Sequence, residues 1–288
     1  MLPPARFNCY LRSVPIMNLK SFIEQANLDF TDIYFTQDTF TSWYSSYSIK
    51  PTDFIIFAKA DSYTPDTRGL VNALSNAKRA IDCQADSFLE CIGLQPDDID
   101  KQLGRDGLAS LAFGSTSKQG PLKFRLLEAF GVATPAIVRK MRTLRNLLEH
   151  EYRRPNRKEV SDAIGIAELF VQACAGKMKS MVDGLGLGSG LVKIKKEKLV
   201  AREFYIRFDP ETTPHFELTY WNREQRNAGS SSKLDVSIGS RDFVALLKLN
   251  CLTESTRDMT EPVRSFLSEL GFKLPRTRFH VRTGYDLC

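Results

Sequence analysis

Arg145-Asn146-Leu147-Leu148-Glu149-His150-Glu151-Tyr152, followed by Arg153-Arg154-Pro155-Asn156-Arg157-Lys158-Glu159, is the stretch on which the reading of this chain turns. It ends one helix and begins another. Proline cannot continue a helix and disfavours helical backbone in the residue before it, so the pattern opened by Thr134-Pro135 stops before Pro155. Thr134 reads as an N-cap with proline at the first helical position. Asn156 with Glu159 three residues on has the form of a capping box, with Asn in place of Ser or Thr. Behind it Val160, Ala163, Ile164, Ala167, Val171, Cys174 and Met178 recur at helical spacing and line one face of a long helix.

Two further helical segments precede these. Leu70, Leu74, Ala77, Ile81, Phe88 and Ile92 mark a long amphipathic helix ending near Gly93, and a shorter helix runs from Pro121 through Phe130 after the Gly/Ser-rich loop 114–120. Four helices with short connections predict a bundle over residues 66–182. The glycine series 184–190 has a helix before it and a strand-like run after it. That is the wrong order for a phosphate-binding loop, so residues 183–192 are expected to be a flexible linker. Beyond it residues 203–208, 215–220 and 234–238 alternate as strands do, residues 242–249 fit helix or strand, and 227–232 read as a loop. The span 193–288 is expected to be a smaller β-rich or α+β C-terminal domain.

Residues 1–65 are expected to be an irregular N-terminal arm. Its aromatics (Phe30, Tyr34, Phe35, Phe40, Trp43, Tyr44, Tyr47) read as anchors onto the globular body rather than as base-stacking platforms. Residues 53–58 look like a short buried strand that joins the C-terminal sheet. The fold class expected is therefore α+β.

The formal net charge is +6, from 40 Lys and Arg against 34 Asp and Glu. Arg139, Lys140, Arg142, Arg145, Arg153, Arg154, Arg157 and Lys158 stand against only Glu149 and Glu151 in their span, a local surplus equal to that of the whole chain. Such a local field attracts a polyanion. No apolar run approaches the ~20 residues that span a bilayer. The N-terminus lacks the apolar core of a signal peptide. The six cysteines form no CxxC pair, and Cys83 and Cys174 fall at helical apolar positions, as buried thiols do in a reducing cytoplasm. His215 and His280 have no close Cys or His partner, so neither a zinc site nor any other metal or cofactor is expected.

On a helical wheel at 100° per residue, Ile137, Met141, Leu144 and Leu148 form the core stripe. Arg139, Arg142, Asn146, Glu149, His150 and Arg153 fall on the opposite flank. Arg145 lies at the stripe's edge beside Val138 and Tyr152. Arg145 and His150 then diverge by about 140° on one helix, and meet only if the helix end unwinds or a second copy contributes. An imidazole that moves protons beside a guanidinium that holds a phosphate is the minimal equipment for cutting RNA without a metal.

Arg145, Asn146 and His150, near the end of the third helix of a four-helix bundle, resemble the motif of the HEPN superfamily (higher eukaryote and prokaryote nucleotide-binding domains). Its members are commonly dimeric bundles carrying an arginine, a polar residue and then a histidine. The extension through Tyr152 is similar to the RxxxxHxY form of HEPN toxins whose tyrosine is AMPylated by a minimal nucleotidyltransferase antitoxin. The resemblance covers residues 70–182. It implies a metal-independent endoribonuclease with Arg145, Asn146 and His150 catalytic and Arg139, Arg142, Arg153, Arg154 and Arg157 holding RNA. It also implies a homodimer through the bundle, possible regulation at Tyr152 by an antitoxin or nucleotidyltransferase partner, and a toxin or phage-defence role. Two alternatives stand beside it. One is a non-catalytic HEPN module that binds RNA, nucleotide or a protein. The other is a DNA-binding regulator, for which no helix-turn-helix signature is present.

Overall fold

The computed structural model describes residues 18–38, 46–64, 66–111, 121–134, 136–137, 139–140, 143, 146, 153–194, 197–210, 213–222, 232–253, 258–275 and 279–283. Several of its helices begin where short polar side chains satisfy the free N–H groups of a first turn. Asn18 accepts from the Ser21 N–H at 2.8 Å to open α1 (Leu19–Ala26), and Asp66 accepts from Gly69 at 2.7 Å to open α3 (Thr67–Cys91). Between them lie β1 (Ile33–Gln37) and α2 (Pro51–Ser62). Next come α4 (Ile99–Leu111), broken at Gly104 by left-handed backbone (φ 59°), and α5 (Leu122–Ala129). The 24-residue α6 (Arg157–Ser180) follows, opened by the capping box expected of Asn156 and Glu159.

The remaining elements are β2 (Gly184–Ile194), β3 (Glu197–Asp209), β4 (His215–Asn222), β5 (Ser232–Ser237), α7 (Arg241–Leu252), α8 (Thr260–Glu269) and β6 (Val281–Thr283). The protein is thus mixed α+β, with one six-stranded sheet in the order β5-β4-β3-β2-β1-β6. All neighbours are antiparallel except β1 and β6, which run parallel. Helix α1 packs on β3, β4 and β5, α7 packs on β4 and β5, and α8 packs beside β6. Helices α2, α3 and α6 pack on one another, α4 packs on α7, and α5 bridges α3 and α4. Buried side chains from the helices and the sheet form a single contiguous cluster.

Three expectations are corrected. Residues 53–58 are not a strand but the middle of α2. Pro51 stands in its first turn, and the Asp53 carboxylate accepts the Lys50 N–H at 2.8 Å, both helix-start devices. A short apolar run does not by itself separate a strand from a helix, and here Ile55 and Ala58 are buried while Ile56 is 61% exposed.

The glycine series is not a linker but the strand β2, whose Leu185 and Leu187 are buried in the core. On alternate positions the missing side chains let neighbours cross the strand. A Cβ on Gly184 would stand 1.8 Å from the Tyr205 hydroxyl, and one on Gly186 would stand 2.2 Å from Thr36 Oγ1. Tyr205 crosses there to donate to Asp38 at 2.5 Å, and Thr36 donates to Glu203 at 3.0 Å.

The region read as an irregular arm contributes α1, β1 and α2. Tyr34 and Phe35 are buried, and Phe30 packs edge-on against Phe272 with ring centroids 5.3 Å apart, so these aromatics do anchor to the body. Phe40, Trp43 and Tyr44 lie outside the described residues. So do the loops expected at 114–120 and, for all but its last residue, at 227–232.

Candidate nucleic-acid interface

Residues 136, 137, 139, 140, 143 and 146 are helical, and the Thr134 hydroxyl accepts from the Ile137 N–H at 3.4 Å, as an N-cap does. Ile137 packs against the core, as its place on the apolar stripe requires. Arg139, Lys140, Thr143 and Asn146 are exposed, and the Thr143 hydroxyl donates back to the Arg139 carbonyl at 3.2 Å. Positions 139, 143 and 146 are spaced i, i+4, i+7, so an arginine and the motif asparagine share one solvent-facing flank. Arg142, Arg145, His150 and Tyr152 lie outside the described residues.

The connection to α6 is described from Arg153 onward. Pro155 is buried, and Arg153, Arg154, Arg157 and Lys158 around it are exposed. Arg153 does more than face solvent. Its guanidinium donates to Glu159 at 2.5 Å while the same carboxylate accepts the Asn156 N–H at 2.8 Å. The hydrogen bond from Arg153, then that from the Asn156 N–H, holds the Glu159 carboxyl below its ordinary range. Arg154, Arg157 and Lys158 stand within the first helical turn or just before it, where the helix dipole adds to their field. Four of the predicted site residues (Arg139, Asn146, Arg154, Arg157) are therefore exposed as a polyanion contact needs, and Arg153 is shared with the fold.

A second polar cluster escaped the sequence reading. Lys123 at the start of α5 reaches Asp82 at 3.1 Å and Asp86 at 3.0 Å on α3. Burial pulls the Lys123 ammonium down, but the two aspartates outweigh it and its pKa ends above the ordinary value. Burial raises the Asp86 carboxyl, against the pull of Lys123. Lys123 and Asp86 border a cavity of about 420 Å³ lined also by Asp97, Ile99, Asp100 and Leu122. Three carboxylates make it unsuited to phosphate. The i, i+4 spacing of Asp82 and Asp86 was the available signal; their partner stands 37 residues from Asp86.

Cys174 is fully buried, and burial pushes its thiol far above the ordinary range; burial likewise pushes Cys91 up to about 12. Cys83, expected to be buried, is half-buried, and its thiol donates to the Ile49 carbonyl at 3.6 Å. His215 and His280 contact Thr213 and Thr260, and among the described residues no group of three or more His, Cys, Asp and Glu is placed to hold a metal ion. Among the described residues no helix is long and apolar enough to cross a membrane. Comparison with protein-family models, with curated proteins and with solved structures finds no match to this chain.

Proposed function

We propose that the chain is a HEPN-type, metal-independent endoribonuclease, in which residues 66–182 carry the catalytic helices. The observation that carries this reading is the sequence Arg145-Asn146-(x)3-His150-Glu151-Tyr152, whose Asn146 is helical and which precedes the Pro155 turn and the capping box of α6. Supporting it are the packing of α3 on α6 and the exposure of Arg139, Asn146, Arg154 and Arg157.

In this mechanism His150 takes the proton from a ribose 2′-hydroxyl, whose oxygen attacks the adjacent phosphorus. Arg145 stabilises the added charge of the phosphorane-like transition state, and Asn146 orients the phosphate or His150. The 5′-oxygen leaves with a proton returned by His150, giving a 2′,3′-cyclic phosphate and a 5′-hydroxyl. Arg139, Arg142, Arg153, Arg154 and Arg157 hold the strand. Tyr152, which the wheel sets beside Arg145, is the residue whose nucleotidylation would add bulk and negative charge to a basic cleft. A toxin or phage-defence effector under an antitoxin or nucleotidyltransferase partner fits that chemistry.

The reading includes a homodimer, because Arg145 and His150 diverge by about 140° on a single helix. The outward face of α6 suits a second copy. Leu169 is 63% exposed there, and a Cβ added at Gly165 or Gly176 would meet nothing within 4 Å. Each glycine costs about 1 kcal/mol relative to alanine in a helix interior, and glycines on an outward face let another backbone approach closely.

The deciding experiment incubates the purified protein with total RNA in EDTA and sequences the new ends. Cyclic-phosphate ends made by the wild type and not by His150→Ala support the enzyme. Equal RNA binding by both without cleavage leaves the non-catalytic module, and preference for duplex DNA restores the regulator.

A further inference from the structure

Strand β5 (Ser232–Ser237) ends the sheet on one side, and among the described strands only β4 pairs with it. The Ile238 N–H donates to the Pro214 carbonyl at 3.1 Å, in step with the β4–β5 register. In an antiparallel ladder successive residues turn their N–H and C=O groups to opposite edges. Leu234 and Val236 therefore direct theirs at β4, and Lys233 and Asp235 direct theirs outward along the sheet edge. Such a row of backbone groups is a template for another strand.

Proteins commonly protect an edge of this kind with proline, a bulge or a repelling charge. β5 has neither proline nor a break in its register with β4. Leu234 and Val236 turn their side chains to the core, and Lys233 and Asp235 turn theirs away from it, both exposed. Lys233 meets the Glu217 carboxylate at 3.0 Å. Asp235 has no hydrogen bond or ion pair among the described residues, and it stands directly opposite Glu217 across the strands. Like charges in that relation oppose pairing, and aspartate disfavours a strand. A cation arriving at the edge relieves the repulsion.

A second copy of β5 supplies that cation. Two β5 edges paired antiparallel about a twofold axis at Leu234 set Lys233 opposite the partner's Asp235, and Asp235 opposite the partner's Lys233. Both positions direct their backbone groups outward, so each pair also exchanges both its backbone hydrogen bonds. Moving the axis to Lys233 or to Asp235 keeps outward positions opposed but sets two like charges against each other. The edge is self-complementary in one register. A strand-edge contact is smaller than the ~1,200 Å² at which stable interfaces begin, so it forms as concentration rises.

We propose that β5 is a self-association edge, through which a second copy of the chain extends the sheet with Lys233 against the partner's Asp235. The contact is separate from the α6 surface, so it joins dimers made there into larger assemblies, and it does not depend on RNA cleavage.

The test follows sedimentation of the full chain across a range of protein concentrations, in the wild type and in Leu169→Arg, each with and without charge changes on β5. Asp235→Lys alone and Lys233→Asp alone each turn both ion pairs into like-charge pairs. Each is expected to weaken association at this edge by about tenfold or more. Lys233→Asp combined with Asp235→Lys restores opposite charges and is expected to return the affinity to within about threefold of its parent. Mixing the two single variants opposes an edge of lysines to an edge of aspartates, and should yield the mixed pair in preference to either self-pair. Circular dichroism checks that each variant folds. If Lys233→Asp does not, Lys233→Gln with Asp235→Asn removes both ion pairs and is expected to weaken association by about threefold. Absence of concentration-dependent association beyond the α6 contact overturns the proposal. So do single variants that match their parent, or a double variant without rescue. Failure of the α6 reading is distinct, since Leu169→Arg then matches the wild type while the β5 variants still separate.

Discussion

Arg153 and Glu159 close the turn that leads into α6. The guanidinium donates to the carboxylate at 2.5 Å, and the other carboxylate oxygen accepts the Asn156 N–H at 2.8 Å. One acidic side chain therefore fixes both the start of α6 and the exit of the segment carrying His150. Replacing Glu159 by Gln weakens the ion pair and the cap together and is expected to cost about 1 kcal/mol.

The same contact sets a pH dependence. Glu159 is held below its ordinary pKa by Arg153 and by the Asn156 N–H. A depressed carboxylate contributes stability above its unfolded pKa and loses that contribution as the pH falls through the lowered folded value. Thermal unfolding followed from about pH 6 to about pH 3 should show a steeper acid-side loss in the wild type than in Glu159→Gln. Parallel curves for the two proteins would show that the pair contributes nothing.

Gly184 and Tyr205 give a test of β2 as a strand. A Cβ at Gly184 would overlap the Tyr205 hydroxyl, which is itself held by Asp38. Gly184→Ala is expected to destabilise by about 1–3 kcal/mol through overpacking. Combined with Tyr205→Ala, it should cost less than the sum of the two single changes, since the clash is then gone. In a flexible linker the alanine would be neutral or mildly stabilising. Urea unfolding of the three variants separates the cases.

That pair also shows where the sequence could and could not be read. The capping box at Asn156 and Glu159 and the apolar stripes of α3 and α6 are local patterns, so they were visible in the chain. The strand in the glycine series was not, because what fills its missing side chains comes from Thr36 and from Glu203 and Tyr205 on other strands. Helix α2 is hard to read from its run 53–58, which is apolar on more than one face; Pro51 and Asp53 are its helix-start signals. At the candidate site, the exposure of Arg139, Asn146, Arg154 and Arg157 followed from the wheel and the proline turn. The pairing of Arg153 with Glu159 did not, since a charge count takes no account of which arginine a cap engages.

His150→Ala is expected to lower RNA cleavage by about 100-fold to 10,000-fold, the usual contribution of a positioned general acid or base. The wheel places His150 on the polar flank, away from the stripe that begins at Ile137, so folding should be unaffected. Cleavage and circular dichroism are measured on one preparation. A folded variant that cleaves at the wild-type rate removes His150 from the chemistry.

Assembly and activity are coupled in the proposed enzyme. On a helical wheel Arg145 and His150 stand about 140° apart, so an unbroken helix would present the two groups to different sides. Leu169 is 63% exposed, flanked along α6 by the open glycines at 165 and 176. The Lys59–Glu168 ion pair beside it ties α2 to α6 and holds that surface in place. Leu169→Arg should leave the monomer's own stability within about 0.5 kcal/mol, as surface changes do, because no core contact is lost. Across a twofold axis, however, it opposes two like charges at the centre of the apolar contact. Light scattering is expected to report a dimer for the wild type and a monomer for Leu169→Arg, with cleavage lost in step. A variant that stays dimeric would move the interface off α6, and a monomer that cleaves at full rate would show that one chain completes the site by itself.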